Sequence, residues 1–295
     1  MNTPIEINAE MEIPRIPGEV AILADLHLDH YRQHGVDWFE RHRLSELPWE
    51  TLDALIIAGD VVNNPTDHLA DALRQVARHI DPGKIVFVAG NHDYYFHAID
   101  ADAELAEIVE GEGARFAQKT VLRYGADRFL CATLWSDFGI HGDVAAGMRD
   151  ARAVHNDYNL IVARGTDPDW LPDLEDRSVF PGMFTPQIAA AVHQDHRAWL
   201  ERELTKPFPG RTVVVTHHCP HPQVAGPLFS YSTAYVSDLG DLIARTQPQA
   251  WFFGHTHHRT RKQIGATDLR NVSLGYPHDP RSGAMPGVLD LCRWR

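Results

Sequence analysis

Five apolar segments of this sequence each end in side chains that can bind a metal ion or transfer a proton. Aspartate, asparagine and histidine are the residue types at these ends. The five endings are Asp25-Leu26-His27, Gly59-Asp60, Gly90-Asn91-His92-Asp93, His217-His218 and Gly254-His255-Thr256-His257. Ligands of open α/β sheets bind at the carboxyl ends of the strands. The repetition therefore predicts one site on which several strand ends converge.

The chemistry of these side chains favours a transition-metal site. Carboxylate, amide and imidazole groups supply oxygen and nitrogen ligands, which suit Mn, Fe or Zn better than a thiolate-selected metal. One histidine after a strand is as often an ordinary polar residue at the start of a loop. The metal-site hypothesis therefore depends on the five endings taken together.

The spacing within two endings also suggests a common direction. In Asp25-Leu26-His27 and His255-Thr256-His257 the metal-capable residues alternate, and in an extended backbone alternate side chains point to one face. We therefore expect each pair to face one pocket. Three glycines are expected to allow a sharp exit of the backbone from its strand: Gly59, Gly90 and Gly254.

Strands and helices alternate along the chain, which predicts an α/β architecture. The predicted strands cover residues 19–26, 54–58, 84–89, 128–134, 211–216, 250–253, 269–274 and 287–292. Several are continuous apolar runs, which is typical of strands buried on both faces. Helical spacing of apolar residues predicts helices over residues 67–80 and 186–204.

One region interrupts this alternation. Residues 136–185 are rich in glycine, aspartate, proline and arginine. Long excursions of this kind inside a compact domain often form lids or binding loops. We therefore predict a single domain over residues 1–295, with an inserted lid-like segment at about 136–185.

Composition disfavours several classes of partner. The net charge of −13, with histidine counted as neutral, disfavours a general nucleic-acid-binding surface and the usual nucleases. The first residues do not match a signal peptide, and no apolar run approaches the roughly 18 residues of a membrane helix. The three cysteines, Cys131, Cys219 and Cys292, do not suggest a disulfide scaffold. We expect a cytoplasmic protein that acts on a small molecule; its oligomeric state stays open.

The five endings together resemble the motifs of the calcineurin-like metallophosphoesterases. That family has Asp-x-His, Gly-Asp-x-x-Asp or Asn, Gly-Asn-His-Asp or Glu, a lone His, and Gly-His-x-His. This sequence has, in the same order, Asp25-Leu-His27, Gly59-Asp-Val-Val-Asn63, Gly90-Asn-His-Asp93, His217 and Gly254-His-Thr-His257. The stretch 271–276 is also similar to the strand and Gly-Tyr turn that often follow in bacterial members. The resemblance implies an α/β, four-layer αββα sandwich, in which helices flank two central mixed β-sheets.

The resemblance further implies a dinuclear centre of two divalent or mixed-valence ions, Mn, Fe or Zn. The implied ligands of the first ion are Asp25, His27 and His257. The implied ligands of the second ion are Asn91, His217 and His255, with Asp60 between the two ions. A hydroxide held between the ions would attack phosphorus in line.

Two further residues have implied catalytic roles. His92 would protonate the leaving oxygen or stabilise its developing charge. Asn63 stands where many phosphomonoesterases of the family have an aspartate that orients the histidine. Asparagine there resembles several phosphodiesterase members, so we expect a phosphodiesterase. Phosphomonoesterase and protein phosphatase activities stay as alternatives, and a non-catalytic scaffold would be expected to have lost some of these residues.

Neighbouring residues allow only weaker expectations. His193 and His196 are expected on a solvated helix face, and strand alternation should turn His218 away from the metals. Asp93 is expected to brace its loop. Six residues of the insertion either reach the substrate or form ordinary surface: Arg149, Arg152, His155, Asn156, Asp157 and Tyr158. Residues 231–235 are a weaker candidate for the mouth of the pocket, and an ordinary surface segment is the favoured alternative.

Overall fold

The computed structural model describes residues 10–16, 18–165, 181–279 and 285–295. The strands are β1 Glu10–Glu12, β2 Glu19–Leu23, β3 Leu52–Ala58, β4 Ile85–Val88, β5 Arg115–Phe116, β6 Thr120–Tyr124, β7 Asp127–Ala132, β8 Val162–Ala163, β9 Gly182–Met183, β10 Thr212–Thr216, β11 Ala250–Phe253, β12 Arg261–Ile264, β13 Thr267–Asn271 and β14 Arg293–Trp294. The α-helices are α1 Leu28–Gln33, α2 Trp38–Arg41, α3 Pro65–Val76, α4 Asp102–Gly111, α5 Val144–Val154, α6 Asp157–Leu160, α7 Pro186–Thr205 and α8 Gly240–Thr246. Within these residues, no helix combines the length and the apolar character needed to cross a membrane.

Two mixed sheets form the centre of the molecule. The seven-stranded sheet has the order β1-β6-β7-β10-β11-β13-β12, and the five-stranded sheet has the order β14-β2-β3-β4-β5. In the first sheet β7, β10, β11 and β13 are parallel, and in the second β2, β3, β4 and β5 are parallel. Helices flank the two sheets, as the sequence predicts. The carboxyl ends of the parallel strands therefore form two edges at which loops can meet.

The apolar runs are buried on both faces because each strand serves two cores. Val213 and Val215 of β10 belong to the cluster that fills the space between the sheets. Val214 instead packs in a second cluster with Leu200 of α7 and Leu242 of α8. Alternating side chains of one strand thus contact opposite layers, which explains why the sequence of β10 shows no polar face.

The two sheets are joined next to the strand ends. Ala24, just after β2, forms an isolated parallel bridge with Ser273, which follows β13 of the other sheet. The backbone N–H of Leu274 donates to the carbonyl of Ala24 at 2.8 Å, and that of Gly275 donates to Asp25 at 3.0 Å. This junction brings the carboxyl edges of both sheets to one place.

The predicted strand over 287–292 is wrong. Val288–Asp290 is a short 3-10 helix, and the strand β14 begins only at Arg293. Trp294 pairs with Val20 of β2, and its indole N–H donates to Asp127 Oδ2 at 3.0 Å. The contacts of Trp294 and its pairing with β2 place the strand at residues 293–294. The apolar pattern of residues 287–292 does not predict these contacts.

The predicted exposure of His193 and His196 is also wrong, because both side chains are buried on α7. His193 Nδ1 donates to the carbonyl of Leu134 at 3.1 Å, and His196 Nδ1 accepts from the Leu134 N–H at 3.1 Å. Burial, with Lys119 nearby, lowers the pKa of His196 to about 3. The two histidines pair with the backbone that follows β7, and they do not form a metal site.

Between β7 and β10 the chain forms α5, α6 and the small antiparallel pair β8–β9 before it enters α7. This region contains the predicted insertion. Residues 166–180, which include most of its Gly- and Pro-rich part, lie outside the described residues. The predicted helices correspond to α3 and α7, with ends that differ by a few residues.

Candidate metal centre and active site

Five parallel strands, three from one sheet and two from the other, deliver the predicted site residues. Asp25 and His27 follow β2, Asp60 and Asn63 follow β3, and Asn91 and His92 follow β4. His217 follows β10, and His255 and His257 follow β11. The structure brings all of these side chains to the joined edges of the two sheets. We call the seven candidate metal ligands the floor of the site: Asp25, His27, Asp60, Asn91, His217, His255 and His257.

One part of the floor is a cluster of four residues whose ligand atoms lie within 4.8 Å of one another: Asp25, His27, Asp60 and His257. His27 Nε2 and His257 Nε2 are 3.1 Å apart, and His257 Nε2 is 3.2 Å from Asp25 Oδ1. His27 Nε2 is 4.0 Å from Asp60 Oδ2. All four residues are buried. Two carboxylates and two imidazoles therefore face a common point, as they would around a cation.

The other part shares Asp60. Asp60, His217 and His255 form a second group within the same 4.8 Å limit. His217 Nε2 lies 3.3 Å from Asp60 Oδ1, 3.2 Å from His255 Nδ1 and 3.1 Å from Asn91 Oδ1. The two carboxylate oxygens of Asp60 are directed at different groups, Oδ2 at the first and Oδ1 at the second. Asp60 is therefore the residue that the two groups share.

The backbone of the floor is not extended, contrary to the expectation from period-two spacing. Five floor residues have a positive φ: Asp25 (56°), His27 (43°), Asp60 (58°), His255 (64°) and His257 (49°). This left-handed region costs about 1–2 kcal/mol for a residue with a side chain, and such strain is typical of functional sites. The side chains converge because the backbone turns after each strand, so the convergence is real but its predicted cause is wrong.

Backbone hydrogen bonds hold these turns. The N–H of Asp25 donates to the carbonyl of Gly59 at 2.9 Å, and that of His27 donates to Asp60 at 3.0 Å. The N–H of His255 donates to the carboxylate of Asp25 at 3.0 Å. Each strained turn is therefore fixed by its neighbour from another strand.

The three strand-end glycines matter mainly because neighbouring atoms lie close to them, and less because the backbone must turn there. Of Gly59, Gly90 and Gly254, only Gly59 has a positive φ, of 86°. A Cβ on Gly90 would lie 2.2 Å from Asp60 Oδ1, and one on Gly254 would lie 2.4 Å from Asp25 Oδ2. These distances are too short for any side chain, so the glycines leave the space that the floor carboxylates occupy.

Asp93 braces the loops after β3 and β4, as expected. Its carboxylate accepts from the N–H groups of Asp60 at 2.8 Å, Val61 at 2.9 Å, Val62 at 3.2 Å and Gly90 at 2.8 Å. The side chain is fully buried. It fixes Asp60 from behind, and its oxygens are engaged by backbone donors and not directed at the floor.

Partners behind the ligands direct their metal-facing atoms. His217 Nδ1 donates to the carbonyl of Ala58 at 2.8 Å, which leaves Nε2 free to face the site. Asn91 Nδ2 donates to Asp157 Oδ1 at 2.8 Å, which turns the amide oxygen toward His217. Tyr95 donates to the same Asp157 oxygen at 2.7 Å. Such outer hydrogen bonds fix ligand orientation and tautomer in metal sites.

Burial and mutual charge shift the pKa values of the floor. Burial and the neighbouring histidines hold the pKa of His27 and His255 well below the ordinary value. Burial raises the pKa of Asp60, but His217 and the other histidines outweigh it and hold that pKa well below the usual range. Burial lowers the pKa of His217, but Asp60 outweighs it and raises that pKa to about 9. The floor thus combines the neutral imidazoles of His27 and His255 with the carboxylate of Asp60, which attracts positive charge, here that of His217.

His92 lies beside the floor with both ring nitrogens placed. Its Nδ1 is 2.7 Å from Asn63 Oδ1, and because an amide oxygen can only accept, Nδ1 carries the proton. Its Nε2 lies 3.9 Å from Asp60 Oδ2. Asn63 Nδ2 donates in turn to His30 Nε2 at 3.1 Å. The chain His92–Asn63–His30 holds the imidazole with Nε2 directed at the site.

Sequence reasoning missed two aromatic contributors, His30 and Tyr276. The ring of Tyr276 stacks on His27 at 4.3 Å, and its hydroxyl lies 3.4 Å from His92 Nε2. The Gly-Tyr turn at 275–276 was a signal for this residue, although it was interpreted only as a structural element. His30 lies on α1 just beyond the first motif, where its spacing gives no signal.

A cavity of about 500 Å³ opens above the floor. Its inner part is lined by Asp60, Asn91, His92, His255 and His257, and its rim by Val154, Leu228 and Phe229. The rim side chains are strongly exposed, with Val154 at 56% and Phe229 at 54%. The space suits a ligand with one end at the floor and an organic part near the rim.

One side of this cavity is a set of four rings that we call the aromatic wall: His155, Phe229, Tyr231 and Tyr235. Phe229 stacks on Tyr231 with centroids 5.4 Å apart, and Tyr231 meets Tyr235 edge-on at 6.3 Å. Tyr235 in turn contacts His255 of the floor at 4.9 Å. Of the weaker candidate run 231–235, Tyr231, Ser232 and Tyr235 line the cavity.

The insertion contributes only some of its candidates. His155, Asn156 and Asp157 line the cavity, but Arg149 and Arg152 are exposed on α5 and are not among the lining residues. Tyr158 is buried. The arginines thus do not reach the site, because α5 presents them to solvent.

His218 is turned away from the ligand atoms, as expected, yet it supports the floor. Its Nδ1 donates to the carbonyl of Thr133 at 3.3 Å, and its ring packs 4.2 Å from that of His255. The adjacent Trp135 ring lies 5.0 Å away on the other side. A buried aromatic stack therefore holds His255 in place.

Two sheets with a carboxylate–imidazole cluster at their shared edge define a class, the metal-dependent hydrolases of α/β architecture. A family model described as calcineurin-like phosphoesterase matches residues 18–259, a range that contains all five motifs. The chain therefore belongs to the calcineurin-like phosphoesterase family and is a metal-binding phosphoesterase. The family uses divalent metal ions, and the acid–imidazole groups of the floor fit them.

Solved structures share the fold. The chain is similar to the phosphopantetheinyl hydrolase from Mycobacterium tuberculosis, with 19% identity over 95% of this chain and 97% of that one and a TM-score of 0.66. It is also similar, at 14% identity over 88% of this chain and 71% of that one, to GAP50, the anchor in the inner membrane complex of Plasmodium, with a TM-score of 0.41. A search of curated proteins found no significant match. At 19% identity and a TM-score of 0.66, the likeness to the M. tuberculosis structure is one of fold.

Proposed function

We propose that this phosphoesterase is a phosphodiesterase with a dinuclear metal centre. The observation that carries the dinuclear proposal is the position of Asp60, whose two oxygens face two separate ligand groups. Asp25, His27 and His257 would complete the first group. A single mononuclear site would leave one of these groups without a cation.

The donor set supports the assignment of the ligands. The second ion would be held by Asn91, His217 and His255, with Asp60 between the two. Nitrogen and oxygen donors without thiolate suit Mn, Fe or Zn. When bound, two such ions supply a water of lowered pKa and positive charge for the phosphate oxygens.

His92 is the proposed proton donor to the leaving oxygen. Since Nδ1 donates to Asn63 Oδ1, Nε2 is the ring nitrogen that faces the floor. A positioned imidazole of this kind contributes typically about 10²–10⁴-fold to a rate. The Tyr276 hydroxyl, 3.4 Å from Nε2, is placed to steady the ring.

The preference for diesters rests on Asn63. Asn63 orients His92 at 2.7 Å without adding a negative charge. An aspartate at this position would stabilise a protonated His92, whose positive charge would attract the second negative charge of a monoester. The neutral Asn63 gives no such support, so the site suits the singly charged diester better. The similar structure from M. tuberculosis is a phosphopantetheinyl hydrolase, and its type of ester belongs in any substrate panel. Phosphomonoesterase activity is the alternative.

The test compares bis-p-nitrophenyl phosphate with p-nitrophenyl phosphate after the protein is stripped of metal and reconstituted with Mn. We expect Mn-dependent turnover with a higher kcat/KM for the diester. His92→Ala should lose about 10²–10⁴-fold in kcat while metal content is unchanged. His68→Ala is the matched control, since that histidine lies on α3 outside the cavity lining.

A second variant tests the role of Asn63. Asn63→Asp keeps the shape and adds a charge beside His92, and we expect it to shift the preference toward the monoester. A wild-type protein that prefers the monoester would overturn the diesterase proposal. If the metal-loaded protein hydrolyses neither ester, the remaining candidates are a non-catalytic scaffold and an enzyme that is selective for another substrate.

We propose that the chain is one domain and that the 136–185 insertion shapes access to the floor. In support, Asp157 of α6 bonds to Asn91 directly, and His155 belongs to the cavity lining. The three cysteines are free and buried, which is consistent with the proposal of a cytoplasmic location.

A further inference from the structure

The cavity above the floor is short of positive charge. Twenty-one residues line it, and none of these described residues is a lysine or an arginine. Its carboxylates are Asp60, which belongs to the floor, and Asp157, whose oxygen accepts from Asn91 and Tyr95. An anionic group beyond the floor would therefore meet a carboxylate and ring faces, which carry negative quadrupole potential.

The aromatic wall provides a continuous apolar surface from the floor to the rim. The wall runs from Tyr235, in contact with His255, through Tyr231 to the exposed ring of Phe229. Leu228, at 41% exposure, and Val154 continue it at the rim. Exposed large apolar side chains gathered around a polar site mark a binding surface.

The wall is fixed before any ligand arrives. His155 Nε2 donates to the carbonyl of Tyr231 at 3.2 Å, and His141 Nε2 donates to that of Phe229 at 2.9 Å. Thr233 Oγ1 donates to the carbonyl of Gly147 on α5 at 3.1 Å. The wall is thus anchored by the insertion, and a preformed surface loses little freedom on binding.

We propose that this cavity selects phosphodiesters whose organic arm is uncharged and partly apolar, and discriminates against substrates that carry a second phosphate. The phosphorus would lie at the floor and the arm along the aromatic wall. The inference rests on the proposed function in placing the ester at the floor. Phe229, Tyr231 and Leu228 are the specificity-determining residues.

The test uses two substrates that differ by one phosphate. These are thymidine 5′-(p-nitrophenyl phosphate) and the same ester with an additional 3′-phosphate. With Mn-loaded protein we expect kcat/KM to be at least about tenfold higher for the ester without the 3′-phosphate, mostly through KM, because the described cavity lining offers the extra anion neither lysine nor arginine. Equal values, or a preference for the 3′-phosphate, would overturn the inference.

Two pairs of variants assign the effect to the wall. Leu228→Arg should restore activity toward the 3′-phosphorylated ester, and Leu228→Gln should not. Phe229→Ala should raise KM for the ester without the 3′-phosphate several-fold. Phe96→Ala is its control, because Phe96 is 64% exposed but lies outside the cavity lining. Equal effects of the two phenylalanine variants would count against the wall.

A binding measurement separates this inference from the proposed function. Calorimetric titration of metal-loaded His92→Ala gives the Kd of both esters without turnover. A lower Kd for the ester without the 3′-phosphate supports the inference, even if the wild-type protein hydrolyses neither ester and the diesterase proposal fails. Equal Kd values, with both esters hydrolysed, would refute the inference and leave the diesterase proposal standing.

Discussion

The floor of the cavity and its aromatic wall are built by different means. The floor consists of residues that follow five parallel strands, held by left-handed turns and by the buried carboxylate of Asp93. The wall consists of short helical segments and loops, anchored by side chain–backbone hydrogen bonds from the insertion. The floor has almost no tolerance for added atoms, whereas the wall is partly exposed. We therefore propose that the reaction chemistry depends on the strand ends and the substrate choice on the loops.

If this comparison is right, the largest effect follows from crowding the floor. Gly90→Ala would place a Cβ 2.2 Å from Asp60 Oδ1 and 2.5 Å from the Asp60 backbone nitrogen. Asp60 must move, and a displacement of about 1 Å can cost about 10²-fold in rate. We expect a loss of at least that size in kcat/KM for bis-p-nitrophenyl phosphate.

The control for that change is Gly111→Ala. Gly111 ends α4, and a Cβ there would meet no atom within 4 Å. It should leave turnover unchanged. Full activity of Gly90→Ala would show that the floor adapts, and the contrast with the wall would then fail.

An intermediate effect is expected where the insertion contacts the floor. Asp157→Ala removes the acceptor for Asn91 Nδ2 and Tyr95, so the amide oxygen of Asn91 loses its orientation. Loss of such an outer partner typically costs about 10–100-fold in metal affinity. Mn titration of activity should show this weakening for one class of site, with Asp150→Ala on α5 as the control. Unchanged Mn affinity would show that the insertion does not support the metal centre.

The smallest effect is expected where α5 supports the aromatic wall. Gly147→Ala would place a Cβ 2.5 Å from the carbonyl oxygen of Phe138 and 3.2 Å from Thr233 Cγ2. Overpacking of this kind costs about 1–3 kcal/mol in the free energy of unfolding. We expect this loss of unfolding free energy in denaturant titrations, together with a several-fold rise in KM and an unchanged metal content. A loss of metal would show that wall and floor are coupled.

The two regions also differ in how far the sequence predicts them. The floor residues could be named from strand-end motifs, because each motif combines a local apolar run with a distinctive polar ending. The wall has a weaker signal, because residues 231–235 and His155 were candidates without any motif and Phe229 was not named. The contact of Tyr235 with His255 joins segments that lie apart in the chain, which a local pattern does not show. The left-handed turns at Asp25 and His27 were missed because period-two spacing resembles an extended strand.

Other errors share this origin. His193 and His196 lie in a polar helical stretch, yet both are buried because the backbone of Leu134 offers them partners. In both cases the deciding partner comes from a remote segment, which a local pattern cannot contain.

The central claim is that Asp60 joins two metal ions. Its most direct test is the metal content per chain, measured by plasma mass spectrometry after reconstitution with Mn and removal of free ions. We predict two ions per chain for the wild-type protein and for His92→Ala, and fewer than one for Asp60→Asn. One ion per chain in the wild-type protein, or two retained by Asp60→Asn, would contradict the account.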